Sequence, residues 1–323
     1  MILTVTINPL LERRLVINEL RPGTEHRAAN EYFSAGGKGI NVSRQLSCLD
    51  VNTLALTFLG GNNGKILRNL LGNEQLNFTA ISTKNETRHA TLVYEENQGR
   101  LSTFFGLNSE ISQAEANELK LKLRKMIENC EIVVFSGSSP SNLADDIFPY
   151  GIETAHEFDK ISICDTYGSH LTECIRKAPT IIHNNMTETA KSLNISLESE
   201  QEIMSYLGYL YDSGVKQAYL TDGMNPVYAS NFDFIYKAGV PEIREMDATG
   251  SGDAFTAGIA YGLHNSLTFE DTLSTAVSLG ALNASSLEIC RTQVDSIREM
   301  KSKVRITTLG KRMKTLDNTP TGE

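Results

Sequence analysis

Short runs rich in Ile, Val, Leu and Thr alternate with amphipathic stretches along nearly the whole chain, and that alternation leaves few folds open. Strand-like runs fall at residues 2–7, 53–58, 132–136, 161–164, 180–183 and 217–221. Helical periodicity occupies 40–49, 65–71, 114–127, 143–158, 200–212, 253–264 and 268–286. Parallel strands need crossovers of this length, so the pattern predicts an α/β fold: a doubly wound, mostly parallel sheet flanked by helices. Ligands of such sheets bind beyond the strand C-termini, where Ser136-Gly137-Ser138-Ser139, Asn184-Asn185 and Thr221-Asp222-Gly223 all fall. Residues 15–34 and 87–105 break the alternation and read as hairpin strands outside the main sheet, the second pair turning at Glu96-Asn97-Gln98-Gly99.

Two glycine-rich helix starts carry the chemistry. Asp247-Ala248-Thr249-Gly250-Ser251-Gly252-Asp253 leads into an apolar helix and sets a carboxylate behind a turn of small residues. A phosphate can approach such backbone N–H groups closely, and the helix N-terminus adds partial positive charge. Gly36-Gly37-Lys38-Gly39-Ile40-Asn41 enters a helix in the same way, with a lysine suited to a phosphate and an amide able to bridge sugar hydroxyls. Either string alone is equally a Gly-rich helix entry, Asp253 then being only a cap. Together, about two hundred residues apart with βα patterning between them, they predict phosphoryl transfer.

This pair of motifs resembles the two signatures of the PfkB/ribokinase family of sugar kinases, and the resemblance runs over roughly residues 1–300. The opening Thr4-Val5-Thr6-Ile7-Asn8-Pro9 is similar to the start of the hexose-phosphate branch, in which ATP phosphorylates a sugar already bearing one phosphate. The resemblance implies a ribokinase-like domain over 1–310, with segments at about 11–35 and 86–106 forming a small β-sheet lid over the sugar, and a polar tail at 311–323. The polar stretch after about residue 304 predicts a frayed end. A ketohexose phosphate is the implied substrate: fructose 1-phosphate first, tagatose 6-phosphate or fructose 6-phosphate next, with ATP and Mg²⁺. A kinase of non-phosphorylated sugars or nucleosides and a catalytically weak sugar-phosphate binder are the alternatives. A homodimer through the lid is a further implication.

Residue by residue, the resemblance makes Asp253 the catalytic base, and Gly250, Ser251 and Gly252 the anion hole that also contacts the nucleotide. Lys38, Arg88 and Arg27 gather around the substrate phosphate, Ser138 donates to it, and Glu12 and Asn41, with Gly37 at the helix start, orient the sugar. Asn185-Met186-Thr187-Glu188 resembles the Asn-x-x-Glu motif that orders Mg²⁺ and ATP phosphates, with Glu188 acting through water. Thr221 and Gly223 belong near the ATP phosphates, and Asn283 beside the adenine. Three positions depart from the family pattern: Glu12 stands where an Asp is usual, His183-Asn184 replaces Lys-Pro, and Glu288-Ile289-Cys290-Arg291 replaces a glycine near the adenine.

Composition narrows the partners. A net charge of -9 disfavours nucleic acid, since a polyphosphate backbone would be repelled. Five cysteines without a CxxC pair predict reduced thiols, with neither a disulfide nor a metal cluster. The N-terminus enters a strand directly, and apolar runs are short, so the expectation is a cytoplasmic protein with no membrane segment.

Overall fold

In the structure, a computed structural model describing residues 1–311, the strands are β1 (Ile2–Thr6), β2 (Leu10–Ile17), β3 (Asn30–Gly36), β4 (Thr53–Gly60), β5 (Phe78–Thr83), β6 (His89–Glu95), β7 (Arg100–Phe105), β8 (Ile132–Ser136), β9 (Ile161–Asp165), β10 (Ile181–Asn185), β11 (Gln217–Thr221), β12 (Val227–Asn231), β13 (Phe234–Gly239) and β14 (Arg305–Lys311). The helices are α1 (Lys38–Ser47), α2 (Gly61–Asn73), α3 (Gln113–Glu128), α4 (Ile147–Glu157), α5 (Leu171–Arg176), α6 (Met186–Leu193), α7 (Glu200–Asp212), α8 (Ser251–His264), α9 (Phe269–Ala284) and α10 (Val294–Lys301). Ten strands form one sheet in the order β14-β13-β12-β11-β10-β9-β8-β1-β4-β5. From β11 through β5 the pairs are parallel; β12, β13 and β14 add an antiparallel edge.

Alternate side chains of the central strands feed two separate cores, as the pleat requires. Leu3, Val5, Val133 and Phe135 pack on one side with Leu119 and Leu123 of α3, Phe148 of α4 and Leu207 of α7. Ile2, Ile132 and Val134 pack on the other with Val42 and Leu46 of α1, Ile259 of α8 and Leu273 of α9. Both faces are therefore covered, which is why β1 and β8 are buried at every position and read as continuous apolar runs. Helix entries are specified locally: Ser112 with Glu115 and Ser199 with Glu202 each form a reciprocal capping box at the start of α3 and α7.

The two segments that break the alternation join as a four-stranded sheet ordered β3-β2-β6-β7. β2 pairs antiparallel with β3 and parallel with β6, which turns back onto β7. Leu10, Ala90 and Leu92 form its own small core.

The frayed end predicted after about residue 304 is corrected: residues 305–311 pair with β13 along its open edge. The pairing is a backbone matter, since most of β14 is exposed. The remainder of the predicted tail lies outside the described residues. All five cysteines are free thiols, four of them buried. Among the described residues no helix is long and apolar enough to cross a membrane.

Candidate active site

A cavity of about 450 Å³ opens where the parallel strands end, roofed by the small sheet. Its two ends differ in character. Met224, Val227, Val240, Val277 and Ala281 line one end, an apolar slot between the antiparallel edge and α9. Asn8, Glu12, Lys38, Arg88 and Ser138 line the other. Gly250, Ser251, Gly252 and Asp253 lie along the same wall.

The turn before α8 depends on Gly250, whose φ of 80 is left-handed and whose added Cβ would lie 2.5 Å from Ile289 Cγ2. Ser251 N donates to Ala248 O at 3.1 Å, closing the turn and opening the helix. A helix's first-turn N–H groups have no intrahelical acceptor, so the turn presents donors to an anion. Asp253 is buried, and Asn41 Nδ2 of α1 donates to its Oδ2 at 2.7 Å. Burial is the largest influence on this carboxyl and pushes it up to about 7; Lys38 opposes the rise, Asp165 adds to it, and the Asn41 donor opposes it. A carboxyl in that range can take and return a proton near neutrality. Asn41 is itself oriented, because Arg44 Nη1 donates to its Oδ1 at 2.5 Å while Arg44 is paired with Glu74 at 2.6 Å.

Lys38 Nζ lies 3.2 Å from Asp165 Oδ1 and 3.7 Å from Glu188 Oε2. Burial pulls the ammonium's pKa down most, but Asp165, Asp253 and Glu188 together carry it above the ordinary lysine value. For Asp165 burial is again the largest influence; Lys38 and His183 outweigh it and hold the carboxyl below the usual aspartate range. His183 stacks on Phe255 at 4.8 Å between ring centroids, and its Nε2 lies 3.1 Å from Thr221 Oγ1. At the polar end Arg88 Nη2 donates to Asn8 O at 3.0 Å and Nη1 to Asn108 Oδ1 at 3.1 Å. Asn8 Nδ2 bridges Asn108 Oδ1 and Ser138 Oγ, each at 3.1 Å. Arg88 Nε is buried with no partner among the described residues.

Of the residues singled out from sequence, Glu12, Gly37, Lys38, Asn41, Arg88, Ser138, Asn185, Glu188, Thr221, Gly223, Gly250, Ser251, Gly252 and Asp253 all line this cavity. Asn185 also caps α6, its side chain accepting from Glu188 N. Two lie elsewhere. Arg27 is exposed on the connection into β3, away from the lining. Asn283 is buried behind the turn: its amide donates to Thr249 O at 2.8 Å and Ser251 Oγ at 3.1 Å and accepts from Cys290 N at 2.7 Å, so no group of it is turned toward the apolar slot. Sequence reasoning missed Asp165, Asn8 and Asn108 as members of the network. Asp165 had a signal, a carboxylate ending an apolar strand; Asn108, in a connecting segment, had none.

The model of the pfkB family of carbohydrate kinases matches residues 7–293. The chain is 30% identical over 307 residues to the 1-phosphofructokinase of Borreliella burgdorferi, covering 95% of this chain and 98% of that one. It is 28% identical over 309 residues to a tagatose-6-phosphate kinase of Staphylococcus epidermidis, covering 95% and 99% respectively. Among solved structures, phosphofructokinase-2 of Escherichia coli superposes with a TM-score of 0.86 at 20% identity, covering 93% of this chain and 98% of that one, a likeness of fold. The chain belongs to the pfkB family of carbohydrate kinases and is a phosphotransferase with an alcohol group as acceptor.

Proposed function

We propose that this kinase transfers the γ-phosphoryl group of ATP to the free terminal hydroxyl of a phosphorylated ketohexose, with fructose 1-phosphate as the preferred acceptor and fructose 1,6-bisphosphate as product. The observation that carries the reading is the placement of Asp253 on one wall with an apolar slot at one end and a basic, hydroxyl-bearing end at the other. The slot suits a nucleobase. Lys38, Arg88 and Ser138, two cations and a hydroxyl gathered at one end of the cavity, suit a sugar phosphate. The relatives named for 1-phosphofructokinase and tagatose-6-phosphate kinase activity support the hexose-phosphate class.

In this reading Glu12 and Asn41 orient the sugar, and Asp253 accepts the hydroxyl proton as its oxygen bonds to the γ-phosphorus. The bond to the β,γ-bridging oxygen breaks, ADP leaves, and the turn N–H groups stabilise the charge on the migrating group. Among the described residues no cluster of three His, Cys, Asp or Glu is arranged to cage a metal. Glu188, a carboxylate facing the cavity, suits Mg²⁺, which keeps its waters and takes few protein carboxylates, and would hold it through water. When bound, the ion neutralises phosphate charge. Use of ATP and reduced thiols fits action in the cytoplasm.

A homodimer through the small sheet belongs to the same proposal. Phe33 and Phe104 are exposed and stand on one face, in register with Arg13 and Thr91. Sedimentation as a monomer at micromolar concentration would overturn it.

The substrate test is ADP release with ATP and Mg²⁺ on a panel of ketohexose phosphates and free sugars. Fructose 1-phosphate should give the highest kcat/KM, followed by the two 6-phosphates. Preference for an unphosphorylated sugar or a nucleoside would refute the reading, as would sugar-phosphate binding without ADP release.

A further inference from the structure

The turn that begins at Asp247 is held by Asn283 of α9, by Cys290 in the connection after that helix, and by its own first residue. Asn283 on α9 donates to Thr249 O, Cys290 Sγ donates to Gly250 O at 3.4 Å, and Asp247 caps the turn by accepting from Thr249 N at 2.9 Å. The first two are local to the main domain. Asp247 has a distant partner: its other carboxylate oxygen accepts from Arg14 Nη2 at 2.7 Å, and Arg14 Nη1 donates to Leu287 O at 3.3 Å. Arg14 sits on β2 of the small sheet, two residues beyond Glu12 and on the same face. Both side chains are largely withdrawn from water, Asp247 at 3% exposure and Arg14 at 15%.

We propose that Arg14 is a positioning residue that couples the seating of the small sheet over the sugar to the shape and charge of the phosphoryl-binding turn. The inference rests on the proposed reading that this turn receives the migrating phosphoryl group. Two physical effects follow from the contact. Glu12, at the sugar end, and Arg14 share one stiff strand about 7 Å apart, so a sugar that sets Glu12 also sets the guanidinium. The guanidinium in turn fixes Asp247, which fixes the Thr249 amide. Arg14 also neutralises a carboxylate that would otherwise repel an anion arriving at Gly250 to Gly252. A guanidinium fork can hold a carboxylate and a carbonyl at once; an ammonium cannot present that planar pair of donors.

The test uses the full chain with Arg14→Ala and Arg14→Lys, read in two ways. Without any substrate, amide hydrogen exchange across residues 247–253 should speed up in Arg14→Ala relative to wild type. In turnover, kcat should fall by about tenfold to a hundredfold, as for a remote change that misplaces a reacting group. KM for the sugar phosphate should stay nearly unchanged, and millimolar guanidinium should restore part of the lost kcat. Arg14→Lys should show both effects in reduced size and supplies the contrast if Arg14→Ala does not fold. Unaltered exchange in the turn would overturn the proposal. So would a raised KM with unchanged kcat, which is the signature of a residue that only staples the small sheet. A wild-type chain that phosphorylates no hexose phosphate refutes the substrate reading instead, while the exchange comparison still judges Arg14 by itself.

Discussion

Replacing Asp253 by Asn should move activity and stability in opposite directions. Folding lifts this carboxyl from 3.8 to about 7. Moving a pKa by one pH unit takes about 1.4 kcal/mol, so a rise of about three sets an upper bound of about 4 kcal/mol on the destabilisation carried by the buried charge. The folded chain binds the proton more tightly than the unfolded chain, so the penalty is present in full above about pH 7. It shrinks as pH falls toward 3.8 and vanishes below it. Asparagine carries no charge, and its carbonyl can accept the Asn41 amide that Oδ2 now accepts at 2.7 Å. The Lys38 attraction is already contained in that net rise; the offset comes from the new amide N–H, a buried donor standing where an acceptor stood, which costs about 1–3 kcal/mol and leaves about 1–3 kcal/mol of stabilisation at pH 8, or a few degrees in Tm. In the same variant the proposed base is gone, and kcat should fall by about 100- to 10,000-fold, equivalent to about 3–5 kcal/mol of barrier. Thermal melts of both proteins at pH 8 and pH 5, beside ADP-release kinetics, measure both effects. The gap in Tm should be smaller at the lower pH. An Asn variant that melts below wild type at pH 8, or that turns over at undiminished kcat, would refute the account of this carboxylate.

The other predictions concern its neighbours. Lys38 lowers the pKa of Asp253, so Lys38→Met should move the acid limb of kcat/KM from near pH 7 to higher pH; a limb that stays put would contradict the contact. Arg88→Ala removes a guanidinium from the polar end and should raise KM for a sugar phosphate by about tenfold to a hundredfold, the worth of a hydrogen bond to a charged group, with a smaller change in kcat. Gly250→Ala forces a side chain into a left-handed position 2.5 Å from Ile289 Cγ2. It should lower stability by about 1–3 kcal/mol and depress kcat, checked by denaturant melts and turnover.

Where one element's own residues decide its structure, the sequence is an adequate guide. The expected limits of β8, β11 and α7 coincide with those observed, because the two strands run through the covered centre of the sheet and a capping box starts the helix. β14 escaped notice because its β-branched Ile306, Thr307 and Thr308 lie in a polar, largely exposed stretch with no buried face to mark them; it forms by pairing with the edge of β13. The same division runs through the site. The turn from Asp247 to Asp253 and the start of α1 are legible as local strings, whereas the partnership of Lys38 with Asp165 joins residues 127 apart and carries no local mark. Asn283 shows the limit most clearly: the family resemblance set it beside the adenine, whereas in the fold its amide bonds the back of the turn.

The bond between Asn41 and Asp253 joins positions 212 apart, and β1, at the heart of the sheet, takes β8 as one of its two neighbours. A ribosome must therefore carry synthesis through α8 before the cavity around Asp253 can close. Until α8 emerges, the nascent chain carries the Asn41 amide without the carboxylate it will hold, and on the proposed reading it lacks the base that phosphoryl transfer needs. Activity should consequently appear only after α8 has emerged, and products terminated short of α8 should be inert whatever their length.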